Sequence, residues 1–263
     1  MSRTTGYPFR MVIVGLLLVS LSPAACAQSP ITQPQQTVDA EQSGRRLFYI
    51  GLGLYSEQWS ENDVVELAAR LQSASRYHVV PMVASNIRPA ARRYPVADDA
   101  TIASLVGAAA RQAGPDDLVF VSISTHGAPK LLARKIGNRA PTELPARELA
   151  RKLAPLAGHP TIIVVSACYS GSLIDDLRAP ERIIITAARA DRSSFGCSPG
   201  SRHTLFGDAE LHAFGQQDRS LRQVFATIRE DVARMEAQER YRPSEPQIWV
   251  GPDAAGLYDA PVF

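Results

Sequence analysis

A histidine and a cysteine each follow a short apolar run, and together they could act as a general base and a nucleophile. One run, 117–124, ends just before His126, and another, 161–165, ends just before Cys168. Runs of this kind are typical of buried parallel strands. Ligands of open α/β sheets bind beyond the carboxyl ends of the strands, so both side chains are expected at that edge. The separation of 168 − 126 = 42 residues leaves room for a crossover helix.

This pair predicts cysteine chemistry on an amide or an ester. A thiolate is the nucleophile, and it needs a neighbouring base unless its own pKa is low. His126 can remove the thiol proton and later donate it to a leaving amine. The backbone N–H groups of Gly127 and Cys168 would form the oxyanion hole, in which one donor is typically worth about 3 kcal/mol. No third residue is evident to orient the imidazole, although a backbone carbonyl could do so.

Other interpretations compete with the pair. Taken singly, His126 reads as a turn residue and Cys168 as a small buried hydrophobe; taken together, at two strand ends, they favour catalysis. In an oxidising compartment Cys168 could instead form a disulfide with Cys197, which predicts a non-catalytic binding protein of the same fold. A hydrolase using Ser170 is a distant alternative, because the surrounding sequence is not a G-x-S-x-G elbow.

Cofactors, metals and nucleic acid are not expected. Gly51 and Gly53 form a lone G-x-G without the third glycine of a dinucleotide fingerprint. No third His or Cys has the spacing of a metal ligand. The net charge of +2, with scattered Lys and Arg residues, gives no argument for nucleic acid. The expected partner is a peptide or protein substrate.

The elements that must position the pair alternate in type along the chain. The order β-α-β-α-β-α-β-β predicts an α/β fold with a mostly parallel sheet and helices on both faces. Five strands are expected, at 47–53, 78–84, 117–124, 161–165 and 182–188. Pro81 places the second of them at an edge or a bulge. A hairpin over 131–136, a third helix beginning near Pro141, and a last strand or strap at 246–251 complete the prediction.

The amino terminus predicts export. Residues 1–27 have a basic start, an apolar run from Met11 to Leu21 that is too short to span a bilayer, and small residues before the cleavage site. Cleavage after Ala27 would discard Cys26, whereas a lipoprotein box would leave Cys26 as a lipid anchor. The protein is then periplasmic or secreted, or a lipoprotein. Residues 28–46 read as a flexible linker, and 47–263 as the domain.

Three motifs resemble the legumain family of cysteine peptidases. They are Ser124-Thr-His-Gly127, Ser166-Ala-Cys-Tyr-Ser-Gly171 and Ile185-Thr-Ala-Ala-Arg-Ala-Asp-Arg-Ser-Ser-Phe-Gly-Cys197. The family includes the asparaginyl endopeptidases and the GPI-anchor transamidase, and the chain looks most like its bacterial exported members. The resemblance implies a caspase-like three-layer sandwich and a cysteine endopeptidase with a His126–Cys168 dyad. It also implies that Gly127 lies in the oxyanion hole, and it leaves transpeptidation as an alternative to hydrolysis.

The resemblance further implies a substrate pocket, with Asn or Asp at the P1 position of the substrate. Ser193, Ser194 and Asp208 match residues of that pocket. Legumain has acidic residues where this chain has Thr125 and Ser166, and its pocket arginine has no clear match. Three residues of a basic loop are candidates to replace that arginine: Arg88, Arg92 and Arg93. These departures leave the dyad intact and put the Asn specificity in doubt.

Overall fold

The computed structural model describes residues 44–87 and 91–263. The signal peptide, Cys26, Arg88 and the linker up to residue 43 lie outside the described residues, so those predictions stay predictions. The same holds for the domain boundary at residue 47. None of the helices in the described part of the chain is both long enough and apolar enough to cross a bilayer.

The core of the described chain is a six-stranded sheet. Its strands are β1 (Arg46–Gly53), β2 (His78–Ser85), β3 (Leu118–Ser124), β7 (Thr161–Ser166), β8 (Arg182–Thr186) and β9 (Gln247–Val250), in the spatial order β2-β1-β3-β7-β8-β9. All neighbours are parallel except β8 and β9, which are antiparallel. The strand with Pro81 lies at the edge of the sheet, as predicted, and pairs only with β1. An edge strand tolerates proline, which has no N–H to donate to a ladder.

Helices cover both faces of this sheet, which confirms the predicted α/β sandwich. They are α1 (Gln58–Ala74), α2 (Asp99–Gln112), α3 (Ala146–Lys152), α4 (Ile174–Leu177), α5 (Leu205–Ala213), α6 (Leu221–Gln238) and α7 (Ala255–Asp259). Successive strand residues point to opposite faces, so Leu47 and Tyr49 pack with α1, α5 and α6. Phe48 and Ile50 pack with α2, α3 and α4 on the other side. The strands are apolar throughout because both faces are buried.

The segment between β3 and β7 differs from the predicted hairpin and helix. It forms a small antiparallel sheet of β4 (Gly127–Ala128), β5 (Leu131–Arg134) and β6 (Thr142–Pro145). The residues from Thr142 pair with β5 as a strand, and α3 begins only after Pro145, whose extended backbone forms its N-cap. This sheet starts at Gly127, so it fixes the chain immediately after His126.

A buried carboxylate, Asp63 on α1, joins the carboxyl end of β3 to the start of α5. It accepts the hydroxyl of Ser124 at 2.7 Å, the hydroxyl of Thr204 at 2.9 Å and the Thr204 N–H at 3.2 Å. His203 Nδ1 lies 3.2 Å from Oδ1, the oxygen that also accepts the Thr204 N–H, and both side chains are at most 4 % exposed. Burial acts to lower the pKa of His203, but the hydrogen bond and charge of Asp63 prevail and raise it.

Replacing Asp63 with alanine is expected to lower the free energy of unfolding by about 3–5 kcal/mol, because buried hydrogen-bond donors and a buried imidazole lose their acceptor. Urea denaturation monitored by circular dichroism measures the change. The matched control is Asp116→Ala, an exposed position, where we expect a change within about 0.5 kcal/mol. Equal effects at the two positions would mean that the Asp63 network contributes nothing beyond surface charge.

Candidate active site

The register of the sheet brings His126 and Cys168 to the same level. Ser124 of β3 is paired with Ser166 of β7, and each side chain of interest lies two residues further along its chain. The Thr125 N–H continues the ladder by donating to the Ser166 carbonyl at 3.0 Å. Paired strands are about 4.8 Å apart. His126 and Cys168 therefore both follow the carboxyl edge of the sheet, on neighbouring strands.

The two side chains line one small cavity of about 10 Å³. Its other walls come from Ser166 and Thr204, and from the loop after β8, which supplies Ser194, Phe195 and Cys197. Ser194 holds the thiol: its N–H donates to Cys168 Sγ at 3.3 Å, and its carbonyl accepts from the same Sγ at 3.3 Å. Phe195 in turn stacks on Tyr241 with ring centres 4.3 Å apart.

Two aromatic rings hold His126 in place. Tyr55 meets the imidazole edge-on, with ring centres 4.4 Å apart, and Trp59 does the same at 5.1 Å. Trp59 is fully buried. Burial lowers the pKa of His126 below its ordinary value of 6.5, because an apolar environment disfavours the charged imidazolium. The imidazole is therefore neutral at neutral pH, which is the form that accepts a proton.

Two charges of opposite sign act on the same imidazole. Glu57 raises the pKa of His126 and Lys135 lowers it, both less strongly than burial. Glu57 also accepts the Trp59 indole N–H at 2.9 Å, and Lys135 Nζ lies 5.4 Å from the Tyr55 ring centre. Sequence reasoning missed Tyr55, Glu57 and Trp59. The signal that could have found them is their place just beyond the carboxyl end of β1, the strand beside β3.

Neutralising these two charges should move the pKa of His126 in opposite directions. Glu57→Gln removes a negative charge that favours the imidazolium, so the pKa should fall further below 6.5. Gln keeps an oxygen for the Trp59 N–H, so packing is preserved. Lys135→Gln removes a repelling positive charge, so the pKa should rise. Titration of the His126 ring protons by NMR measures both, and shifts of the same sign would contradict this electrostatic account.

The backbone of Gly127 lies close to that of Cys168. The His126 carbonyl accepts the Ala133 N–H at 2.8 Å, and Gly127 is the next residue, opposite Leu132. Because hydrogen-bonded and non-hydrogen-bonded positions alternate in an antiparallel pair, the Gly127 N–H points away from β5. A Cβ on Gly127 would overlap the Cys168 carbonyl oxygen and come within 3.1 Å of Ala167 Cβ. Only glycine permits this approach of the two backbones.

Cys168 lies at a sharp bend. The next residue, Tyr169, has a φ of 57°, in the left-handed region that non-glycine residues seldom adopt. The bend is held because the Tyr169 N–H donates to the Arg192 carbonyl at 2.7 Å. In the described part of the chain no backbone acceptor pairs with the Cys168 N–H. Backbone strain of this kind persists where the surroundings over-determine it, and it clusters at functional sites.

The structure separates the predicted pocket residues. Ser194 lines the cavity, whereas Ser193 is not among the described residues that line it. Asp208 instead lines a different concavity of about 510 Å³, together with Glu66, Arg70 and His203. Arg92 and Arg93 line a third concavity beside α1. Of the described residues that line the cavity at Cys168, none carries a carboxylate, an ammonium or a guanidinium group.

The described residues include those of the two alternatives to the dyad, the Ser170 nucleophile and the disulfide of Cys168 with Cys197. Ser170 is fully buried, and its hydroxyl oxygen accepts the Ala188 N–H at 3.1 Å. Cys168 and Cys197 are both free thiols that line the same cavity. Burial raises the pKa of the Cys197 thiol, with a smaller contribution from Cys168. No cluster of His, Cys, Asp and Glu with the geometry of a metal site occurs within residues 44–87 and 91–263.

Comparisons with known proteins identify the family and the fold. The family model described as peptidase C13 family matches residues 98–256, which is more than half of the chain. No curated protein matches. Among solved structures, caspase-1 from Spodoptera frugiperda superposes with a TM-score of 0.52 at 16% sequence identity, over 79% of this chain and 86% of that chain. That likeness shows a caspase-like fold. The chain belongs to the peptidase C13 family, the legumain family of cysteine peptidases.

Proposed function

We propose that the protein is a cysteine endopeptidase in which Cys168 is the nucleophile and His126 is the general base. One observation carries the proposal: the β3–β7 register sets the two side chains at the same level, on the walls of one cavity. Membership of the peptidase C13 family supports cysteine peptidase chemistry in general. The neutral imidazole between Tyr55 and Trp59 supports the base role.

In the first step His126 takes the thiol proton while Cys168 Sγ attacks the carbonyl carbon of the scissile peptide bond. The carbonyl oxygen gains the negative charge. The Gly127 N–H points away from β5, and the Cys168 N–H has no backbone acceptor in the described residues. These two donors stabilise the oxyanion, and each is worth about 3 kcal/mol in a preorganised site.

In the second step the imidazolium of His126 donates its proton to the leaving amine, and the C–N bond breaks. The acyl group remains on Cys168 as a thioester. Water, activated by the neutral His126, then hydrolyses the thioester and restores the thiol. An amine in place of water would give transpeptidation by the same steps, so the nature of the acceptor separates the two reactions.

The preference at P1 is a separate part of the proposal. The resemblance to legumain implies Asn or Asp at P1, read by residues that include Asp208. In the structure Asp208 lines another concavity, and Ser166 replaces the acidic residue expected two positions before the cysteine. An Asn or Asp preference therefore has no charged partner of its own in the cavity.

We also propose that the protein is exported, on the strength of the leader-like pattern of residues 1–27. Sequencing the amino terminus of the mature protein tests this. A start at Gln28 indicates a soluble exported protein, and a lipidated Cys26 indicates a membrane-anchored one. A mature chain that retains Met1 would contradict export.

A peptide-library cleavage assay tests the enzymatic proposal directly. The wild type, Cys168→Ala and Ser170→Ala are compared in reducing buffer, with products identified by mass spectrometry. We expect cleavage by the wild type and by Ser170→Ala, and none by Cys168→Ala. Cys197→Ser serves as a matched control, because it removes a thiol of the same cavity without removing the nucleophile.

Two outcomes would overturn the proposal. Cleavage that survives in Cys168→Ala and is lost in Ser170→Ala would assign the reaction to the serine. Inactivity of all forms, with Cys168 found quantitatively bonded to Cys197 in the isolated protein, would leave a fold used for binding.

A further inference from the structure

The cavity beside Cys168 is small and uncharged. Its volume of about 10 Å³ is that of roughly one water position. The side chain of serine or alanine extends no further from the backbone than such a position, whereas those of Asn, Asp and Arg do. The larger concavities, of about 510 Å³ and 600 Å³, lie at Asp208 and at Arg92 and are not lined by Cys168.

Hydrogen bonds link the polar groups of the cavity to Asp63, and each group donates toward that carboxylate. A carboxylate only accepts hydrogen bonds, so the Thr204 hydroxyl donates its proton to Asp63, at 2.9 Å. The Thr204 oxygen also accepts the Gly207 N–H at 2.8 Å. A hydroxyl has a single proton, so in the 3.0 Å contact between Ser166 and Thr204 the donor must be Ser166.

Because Ser166 donates its hydroxyl proton to Thr204, it can only accept a hydrogen bond from a group in the cavity. Its proton is committed to Thr204, and its oxygen lone pairs remain for a ligand. Asp63 is kept as an acceptor because all its neighbours donate: Ser124 at 2.7 Å, the Thr204 N–H at 3.2 Å and the His203 imidazole at 3.2 Å. A P1 side chain that carries a donor is thereby favoured over one of equal size without a donor.

We infer that the pocket beside Cys168 selects a small, neutral P1 side chain that donates a hydrogen bond, serine first and alanine next, and that Ser166 and Thr204 determine this choice. The inference rests on the proposed peptidase function. It departs from the Asn or Asp preference that the legumain resemblance implies. Ser166 contacts the substrate side chain in this account, and Thr204 is a positioning residue that acts through Ser166.

The test measures kcat/KM for one peptide whose P1 residue is Ser, Ala, Asn, Asp or Arg. For the wild type we expect Ser to exceed Ala about fivefold, the worth of one hydrogen bond, and both to exceed the larger residues at least about tenfold. Faster cleavage after Asn or Asp than after Ser would overturn the inference while leaving the peptidase function intact.

Two variants separate the hydrogen bond from the size of the pocket. Ser166→Ala should abolish the Ser-over-Ala preference, so that the ratio of kcat/KM for the Ser peptide to that for the Ala peptide falls from about five to about one. Thr204→Val should also weaken the preference, because Ser166 then has a free proton to turn toward the cavity. Thr142→Val, on the exposed strand β6, is the matched control and should change nothing. An undiminished preference in both pocket variants, each verified as folded by thermal melting, would overturn the role of the hydroxyl chain.

A second readout keeps the pocket testable without turnover. Peptidyl chloromethyl ketones with the same P1 series alkylate Cys168, and their rates report how well each side chain fits. If no peptide is cleaved, the proposed function fails, yet faster alkylation by the Ser and Ala reagents would still support the pocket. Faster alkylation by the Asn or Asp reagent would overturn it.

Discussion

Replacing Gly127 with alanine is expected to lower kcat/KM about a hundredfold, because the new Cβ would overlap the Cys168 carbonyl oxygen. The alanine keeps the backbone N–H but displaces it from the position where the oxyanion forms, and a shift of about 1 Å in a catalytic group costs roughly that factor. Crowding two backbones should also reduce the free energy of unfolding by about 1–3 kcal/mol. Steady-state kinetics and urea denaturation measure the two effects.

Gly256→Ala is the matched control for this substitution. Gly256 lies in α7, and nothing is found within 4 Å of the position that its Cβ would take. Alanine there should leave kcat/KM unchanged and stabilise the helix by up to about 1 kcal/mol. Wild-type activity in Gly127→Ala would contradict the placement of the oxyanion hole between the two strands.

Replacing His126 with alanine should lower kcat/KM by about 10²–10⁴, the usual contribution of a positioned general base. The rate at which iodoacetamide alkylates Cys168 near pH 7 should fall as well, because the thiol loses the group that accepts its proton. His126→Gln preserves more of the packing against Tyr55 and Trp59, so a similar loss in that variant separates the chemical effect from a collapse of the site.

His159→Ala is the control for this experiment. His159 stands just before β7, at the opposite end of the strand from Cys168, so its imidazole cannot reach the thiol. We expect unchanged kinetics in that variant. If His126→Ala retained more than a tenth of the wild-type kcat/KM, another group would have to be the base.

Much of the scaffold follows from local patterns in the sequence. The apolar runs before His126 and Cys168 predict fully buried strands. Because these strands are expected to be parallel, their carboxyl ends lie at the same edge of the sheet, and so do the two side chains. The observed pairing of Ser124 with Ser166 agrees with that expectation. Such predictions succeed because burial on both faces of a parallel sheet leaves an uninterrupted apolar signature.

The surroundings of the dyad could not be predicted because they depend on contacts between distant segments. Tyr55 and Trp59 reach His126 only because β1 lies next to β3 in the sheet. Asp63 appears in the sequence as one more polar helix residue, yet it is buried between the end of β3, at Ser124, and the start of α5, at Thr204. Asp208 matches a pocket motif, but its place on α5 turns it toward another concavity. Helix orientation of this kind is a tertiary property.

The most direct test of the central claim is to trap the acyl-enzyme. A good peptide ester substrate is mixed with the wild-type protein, quenched in acid within the first turnover, and digested for mass spectrometry. We expect the acyl mass on the peptide that contains Cys168, as a thioester that hydroxylamine removes, and no such adduct in Cys168→Ala. An acyl group found on Ser170, or the same adduct yield without Cys168, would contradict the account.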